Sequence, residues 1–375
     1  MRKITIFYDR QGTYTLRWLK PMLAARKEFK ELGYKVELAS LLDYLPIGRV
    51  LGYDIAEKLE IKNAMRGHRD IVFLAFHHSS SYLGSCSSLE RIDILKKIKK
   101  RCNKLVWLDT ADSTGTCLFD VLPYVDLYFK KQVLKDSKDY LRTVWGGRTF
   151  CEYYHKLLGI TDDKVTDRFF PPATMEGLKK LRISWNVGLG DLYASKPFHI
   201  YLRPNSRKQP QFVDCDKERL LDLQYRGSGY SPIAGYPRSK SQELLATIKG
   251  ITICDVSKKI PKPEYILEGQ NSKSILSPFG WGEICGRDFE AIVYGATMIK
   301  QSMEHCITYP NVYQPWVTYV PLKWDFSDFV DIISKCGSEE YRNIAKRAQN
   351  YYRQFFTNEG RMDFAKHIIN ELNRQ

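Results

Sequence analysis

The segment from residue 277 to residue 296 concentrates residue types that bind and transform ligands. Its glycines, acids and arginine are Gly280, Gly282, Glu283, Arg287 and Glu290. Glycine lets a backbone approach a ligand without a Cβ in the way. The glycines predict a turn, and apolar residues at helical spacing follow it. The free N–H groups and positive dipole end of that helix should therefore face a ligand bound at the turn. These features predict a site for phosphate or sugar oxygens.

The two glutamates of this segment are expected on one helix. Glu283 should open the helix, and Glu290 should follow two turns later on nearly the same side. Arg287 lies between them, where it would contact phosphate or neutralise Glu283 or Asp288. A glycine-rich turn before an amphipathic helix also occurs in many α/β proteins without such a site, so the structural interpretation stays open beside the functional one.

The ending Glu290-Ala-Ile-Val-Tyr-Gly295 completes a pattern that resembles the group-1 glycosyltransferases of the GT-B fold. The resemblance covers about residues 220 to 325. It implies that Glu290 binds the ribose hydroxyls of a nucleotide and that an earlier glutamate meets the transferred sugar. The family spaces these glutamates eight residues apart. Position 282 is glycine here, so the role of the first glutamate passes to Glu283, seven residues before Glu290.

Cations in the same half of the chain fit a phosphate-bearing ligand. A sugar leaves a nucleotide diphosphate with negative charge on the departing group, which fixed cations stabilise. Arg226, with either Arg238 or Lys240, resembles the Arg and Lys pair of metal-independent relatives. Arg226 would alternatively satisfy the carbonyl groups of its own turn. Lys300 follows a predicted strand at 297–299, where the family presents loop residues to the donor.

The first half of the chain offers candidate acid–base groups at the ends of two predicted strands. His77 and His78 follow the apolar run 71–76, and Asp109 and Asp112 follow the run 104–108. A carboxylate or imidazole at this position would deprotonate an acceptor hydroxyl. Aspartate is also common in turns, so a purely structural role stays open.

Alternating strand and helix patterns predict an α/β protein with two Rossmann-like domains facing across a cleft, the GT-B layout. The resemblance implies an acceptor domain, residues 1–205, a donor domain, residues 206–350, and a terminal helix, residues 351–375, that crosses back to the first domain. A hinge is expected at 150–204 and a helix break at 358–360. The predicted strands cover residues 3–8, 35–39, 71–76, 104–108, 125–129, 221–225, 251–254, 274–276, 297–299 and 317–320.

A formal net charge of +15 calls for an anionic partner. Nucleotide phosphates, an anionic membrane or lipid-linked acceptor, and nucleic acid all fit. The densest basic stretch, with lysines at 96, 97, 99 and 100, is predicted as an amphipathic helix whose lysines face solvent or a membrane surface.

Other classes of site lack support in the sequence. The nine cysteines show no disulfide or zinc spacing and are expected to be reduced thiols. No Gly-x-Gly-x-x-Gly follows the first strand, so a dinucleotide cofactor is not expected. The start of the chain is expected to be a strand rather than a signal peptide, and no apolar run is long enough to span a membrane. We expect a cytoplasmic protein, soluble or peripheral on a membrane.

The leading hypothesis is therefore a glycosyltransferase that takes a UDP- or GDP-sugar and glycosylates a saccharide or lipid-linked glycan. The resemblance implies retention of configuration and no metal. A transferase acting on modified DNA bases is the main alternative, because it would explain the positive charge directly. A protein that binds a nucleotide-sugar or polyanion without catalysis is the third.

Overall fold

The computed structural model describes residues 1–9, 13–39, 53–162, 170–190, 209–227 and 229–374. Within these residues, the chain forms two parallel sheets. The first has the order β2-β1-β3-β4-β5-β7 and the second the order β12-β10-β9-β8, while β6 and β11 form an antiparallel pair. The strands are β1 (Arg2–Tyr8), β2 (Tyr34–Leu38), β3 (Arg69–Ala75), β4 (Cys102–Asp109), β5 (Leu127–Lys130), β6 (Gln132–Leu134), β7 (Leu181–Ile183), β8 (Leu221–Gln224), β9 (Ser272–Leu276), β10 (Thr297–Gln301), β11 (Cys306–Thr308) and β12 (Val320–Leu322).

Helices connect the strands in the crossover pattern that parallel sheets require. In the described ranges they are α1 (Thr13–Ala24), α2 (Arg26–Glu31), α3 (Tyr53–Ala64), α4 (Tyr82–Ser85), α5 (Ser88–Lys99), α6 (Thr149–Leu158), α7 (Met175–Leu178), α8 (Tyr236–Leu245), α9 (Lys262–Gln270), α10 (Gly286–Val293), α11 (Phe329–Ile333), α12 (Glu339–Arg353) and α13 (Asn358–Asn373).

Strand β3 shows why an unbroken apolar run predicts a central parallel strand. Successive side chains of a strand point to opposite faces of the sheet. Ile71 and Phe73 pack in the hydrophobic cluster on one face, and Val72 and Leu74 pack in the cluster on the other. Both faces are covered, so every position of the run is apolar and buried.

The terminal helix α13 packs on the first sheet although it follows the second sheet in sequence. Phe364, Ile368 and Leu372 share a hydrophobic cluster with Ile4 of β1 and Trp18 of α1. This contact confirms the predicted crossing back. The break before the helix was placed too late, because α13 begins at Asn358 after a cap formed by Thr357.

Other local predictions were wrong. No strand forms at residues 251–254, where Ile253 makes an isolated bridge to Leu223. The strand expected at 317–320 begins at Val320. The hinge expected at 150–204 stays a prediction, and this region contains α6 and β7, the latter at the edge of the first sheet. Tertiary contacts order these short stretches, and local pattern does not report them.

Helix α6 is notable because it packs in the core of the second sheet. Phe150, Cys151 and Tyr154 belong to the same cluster as Leu223 and Ile275.

The expected boundary between residues 205 and 206 lies outside the described residues, so the domain limits stay a prediction. Across the described part of the chain, no helix has the length and apolarity needed to cross a membrane.

The crossing of α13 should contribute strongly to stability. Ile368 is fully buried, so Ile368→Ala should lower the free energy of unfolding by about 2–5 kcal/mol. Lys366→Ala, on the exposed side of the same helix, should change it by less than about 0.5 kcal/mol. Urea denaturation of the two variants measures both values. Equal losses in the two variants would show that α13 does not depend on this packing.

Candidate functional site

Residues from both halves of the chain line a cavity of about 310 Å³. It joins α1 and the loop after β4 to the turn between β9 and α10, and is named here the Arg17–Arg238 cavity. Its lining residues are Arg17, Trp18, Asp112, Val187, Gly190, Arg238, Gly280, Trp281, Gly282, Ile284, Cys285 and Gly286. Open α/β sheets bind ligands at the carboxyl ends of their strands, and the loops after β4 and β9 place this cavity there.

Two glycines of the predicted segment shape this cavity through close protein contacts. A Cβ on Gly280 would come within 2.3 Å of the Arg238 Nη2 atom, and a Cβ on Gly282 would come within 1.7 Å of the Asp112 carbonyl oxygen. Side chains at these positions would push the turn away from Arg238 and from the loop after β4. Glycine therefore lets the turn contact both the arginine and the other domain.

The arginines of the cavity retain donor atoms for a ligand. The Nε atoms of Arg17 and Arg238 are buried without a hydrogen-bond partner among the described residues. The Arg238 guanidinium lies 5.3 Å from the ring centre of Tyr230, and that ring lies 4.4 Å from the Trp281 ring. Gly286, the first residue of α10, lines the same cavity. Two cations and a helix N-terminus make this a candidate anion site.

Arg287 also keeps unused donors. Its Nη2 atom donates to the Arg226 carbonyl oxygen, while its Nε and Nη1 atoms are buried without a partner in the described part of the chain. Buried polar groups are normally hydrogen-bonded. The side chain thus has capacity for an anionic ligand at the first turn of α10.

The other cations expected to contact a ligand are engaged by protein groups. Arg226 forms an ion pair with Glu268 and donates to the carbonyl oxygens of Asp255 and Lys258. These partners lie on another loop and on α9, so Arg226 has a structural role, although the carbonyl groups are not those of its own turn. Lys240 donates to Glu243 at 2.6 Å. Lys300 donates to Asp288 at 3.2 Å and to the Ser277 carbonyl oxygen at 3.1 Å.

Glu290 lies on α10 and faces α9. Its carboxylate accepts hydrogen bonds from Tyr265 Oη at 2.5 Å and Lys262 Nζ at 3.3 Å. The side chain is 8% exposed, whereas that of Lys262 is 59% exposed. A nucleotide ribose would have to share or replace these donors. Contact between Glu290 and a ribose stays a prediction.

Glu283 does not open the helix, which begins three residues later at Gly286. Its fully buried carboxylate accepts hydrogen bonds from Ser113 Oγ at 3.2 Å, Thr114 N at 3.0 Å and Thr114 Oγ1 at 2.7 Å. Burial opposes ionisation, but His305, 3.9 Å away, and after it the bonds from Thr114 hold the pKa of Glu283 at about 2. In this structure Glu283 joins the two domains. Its contact with a sugar stays a prediction.

Asp109 is buried in a network within the first domain. Its Oδ2 atom accepts from Lys130 Nζ at 2.9 Å and from Tyr128 Oη at 2.7 Å, and its Oδ1 atom accepts from Ala111 N at 2.7 Å. Burial opposes ionisation, but Lys130 holds the pKa of Asp109 below its ordinary value. These contacts give Asp109 a structural role beneath the cleft.

Asp112 and the two histidines lie closer to the cleft. The Asp112 side chain is 43% exposed, although its Oδ1 atom lies 3.0 Å from Lys131 Nζ. His77 and His78 are partly buried, with ring centres 4.5 Å apart. Burial lowers the pKa of His77, and burial with the adjacent His77 lowers the pKa of His78 to about 4. Both rings are therefore neutral near pH 7.

Sequence reasoning missed two classes of residue. Arg17 and Trp18 belong to an ordinary amphipathic helix, and no motif marks them as cavity residues. Ser113 and Thr114 gain their role only through Glu283.

On α5, Lys97 and Lys99 pair with Asp93 and Asp126, and Lys96 lies over Tyr124. Among the described residues, no three His, Cys, Asp or Glu side chains group as metal ligands.

Comparisons with known proteins support the fold. No family model matches the chain. Uncharacterized protein 035R of Invertebrate iridescent virus 3 is 36% identical over 69 residues, which span 18% of this chain and only 6% of that protein. The apo form of the lipopolysaccharide outer core galactosyltransferase WaaB matches over 99% of both chains, with 12% identity and a TM-score of 0.50.

Two further solved structures align with most of the chain. Alr3699/HepE of Anabaena, solved with UDP and glucose, covers 100% of both chains at 12% identity and a TM-score of 0.46. An alpha-glucosyltransferase (AGT) solved with UDP covers 98% of this chain and 100% of its own, at 12% identity and a TM-score of 0.41. The match to WaaB and the two facing sheets confirm the predicted GT-B fold.

The contact of Glu283 with the other domain should make stability depend on pH. Its folded pKa of about 2 lies below the ordinary 4.5, so its contribution is present above 4.5 and is lost as pH falls toward 2. Glutamine cannot ionise. The difference in free energy of unfolding between the wild type and Glu283→Gln should therefore decrease by about 2 kcal/mol as the pH falls from about 6 to about 3. Urea denaturation across this range tests the difference, and parallel pH profiles would contradict it.

Proposed function

We propose that this protein is a glycosyltransferase that transfers a sugar from a nucleotide-activated donor. The observation that supports the proposal is the Arg17–Arg238 cavity between the two domains, with two arginine Nε atoms that lack partners in the described part of the chain. A GT-B fold alone does not define a reaction. The charge and position of this cavity suit the diphosphate of a nucleotide-sugar, with UDP or GDP as the nucleotide.

The proposed chemistry requires stabilisation of a departing nucleotide diphosphate. Arg17, Arg238 and the N-terminus of α10 supply fixed positive charge from opposite walls of the cavity. We assign the diphosphate to these groups in place of Arg226 and Lys240, because Glu268 and Glu243 already pair with those cations. This arrangement would stabilise the leaving group without a metal ion.

The nucleoside end of the donor is assigned to the side of α10 that carries Arg287 and Glu290. Arg287 offers two buried nitrogens that lack partners among the described residues. Glu290 presents a carboxylate that already accepts bonds from Tyr265 and Lys262. Ribose hydroxyls are donors of the same kind as the Tyr265 hydroxyl, so they would compete for the same carboxylate oxygens.

Asp112 is assigned the contact with the acceptor hydroxyl. It lines the Arg17–Arg238 cavity and stays partly exposed, with the Lys131 Nζ atom 3.0 Å from its Oδ1 atom. The neutral ring of His77 is the neighbouring group better able to accept a proton, because a pKa of about 4 makes His78 a weak base. We propose a saccharide acceptor and retention of configuration, in line with the resemblance in residues 277–296.

Nucleotide binding tests the proposal directly. UDP and GDP, alone and as sugar conjugates, should raise the melting temperature, because a ligand at about 100 times its Kd stabilises by about 2.7 kcal/mol. Arg238→Gln should weaken nucleotide binding about tenfold or more, since it removes a charged hydrogen bond worth about 1.5–3 kcal/mol. Arg66→Gln, at an exposed position outside the cavity lining, is the matched control. No shift with any nucleotide would refute the assignment.

The stacking of Arg238 on Tyr230 makes a separate prediction. Tyr230 Oη is buried without a hydrogen-bond partner in the described residues, so Tyr230→Phe should leave nucleotide affinity nearly unchanged. Tyr230→Leu removes the aromatic face that positions Arg238 and should weaken affinity about fivefold. Isothermal titration with UDP compares the variants. Equal affinity in Tyr230→Leu would show that the ring does not position Arg238.

A further inference from the structure

A second cavity, of about 720 Å³, lies between the halves of the chain and shares no lining residue with the Arg17–Arg238 cavity. It is named here the His305 cavity. The walls come from the region after β6, from α6 and from the loops after β10 and β12. Its lining residues are Leu134, Lys135, Asp136, Asp139, Arg142, Thr149, Glu152, Tyr153, Lys156, Glu304, His305 and Trp324.

Glu283 lies in the wall between the two cavities. Its neighbours in sequence, Gly282 and Ile284, line the Arg17–Arg238 cavity. On the other side, its Oε1 atom lies 3.9 Å from the Nε2 atom of His305, which lines the His305 cavity. Both ring nitrogens of His305 are buried without a hydrogen-bond partner among the described residues. Such a ring nitrogen keeps hydrogen-bonding capacity for a hydroxyl group of a ligand, although the ring lies beside Glu283.

Aromatic rings form the apolar part of the His305 cavity. Trp324 lies edge-to-face with Tyr153, with ring centres 5.3 Å apart, and edge-to-face with His305 at 4.8 Å. These contacts hold the indole in place, and the Trp324 Nε1 atom donates to the Ser302 carbonyl oxygen at 2.9 Å. The result is a fixed aromatic surface in a polar cavity, the kind of surface that receives the apolar face of a sugar ring.

The side chains around these rings carry charges of both signs, and several of them form ion pairs with each other. Glu152 accepts from Arg142 Nη1 at 2.8 Å and lies 3.2 Å from Lys156 Nζ. The remaining acids in the lining are Asp136, Asp139 and Glu304. A phosphate would meet these carboxylates at close range, and an acyl chain would bury them. A hydroxyl-rich neutral ligand can donate to the acids and accept from the cations.

We propose that the His305 cavity binds a neutral saccharide, at a site that Glu283 separates from the Arg17–Arg238 cavity. This assignment rests on the proposed glycosyltransferase function. Because residues from both halves of the chain line the cavity, a bound saccharide contacts both. His305 and Glu283 connect it to the turn that shapes the Arg17–Arg238 cavity. Saccharide occupancy thereby favours the closed contact between the domains.

Direct binding measurements test the inference. The probes are neutral trisaccharides of glucose, galactose and N-acetylglucosamine, read by saturation-transfer NMR on the full chain. Trp324→Leu and Tyr153→Leu should each weaken binding about fivefold or more. Trp316→Leu is the matched control, because Trp316 is 45% exposed and lines neither cavity. The UDP-induced melting shift of each variant checks that the fold and the other cavity are intact.

The outcomes separate this inference from the proposed function. Trisaccharide binding that is lost in the two cavity variants and kept in Trp316→Leu supports the saccharide site. No trisaccharide binding, or binding equal in all variants, overturns it and leaves the donor assignment standing if UDP still binds. Trisaccharide binding without any UDP response supports the site and overturns the transferase proposal.

Discussion

The burial of the Glu283 carboxylate is the constraint on which the arrangement of the two domains depends. An ionised carboxylate taken out of water costs several kcal/mol unless hydrogen bonds and charge compensate it. The compensation comes from His305 and, across the cleft, from Ser113 and Thr114, which belong to the other domain. Separating the domains at this point would leave those groups unpaired. The same turn places Gly282 against the Asp112 carbonyl group, so the shape of the Arg17–Arg238 cavity follows from this contact.

Buried cations play a similar part beneath the cleft. Lys130 pairs with Asp109, and Lys300 pairs with Asp288, all four side chains being at most 4% exposed. Removing one member of such a pair leaves an uncompensated charge, which is more costly than the pair itself. Part of the positive charge of the chain is thus used to order the loops at the strand ends. The arginines of the cavity, whose Nε atoms lack partners in the described ranges, are the ones left for an anion.

The sequence located the candidate site more reliably than it assigned roles within it. Residues 280–282 and 284–286 do line the cavity between the domains, and Arg238 was among the expected cations. Arg226, just before Gly227 in the sequence, was the first of the expected cations, yet Glu268 binds it from a helix 42 residues away in the chain. Arg17 and Trp18 gave no signal, because an amphipathic helix packed on a sheet has the same pattern whether or not one edge borders a cavity.

By itself, the sequence determined the alternation of strands and helices, the buried central strands and the GT-B class. The first two depend on local periodicity, which a run such as residues 71–76 carries in full, and the GT-B class came from the resemblance of residues 277–296. Only the tertiary structure decided which ionisable groups are paired. Glu283 and Thr114 are 169 residues apart, and no local pattern reports a hydrogen bond across that separation. Whether a charged side chain meets a ligand or a protein partner is set by such long-range neighbours.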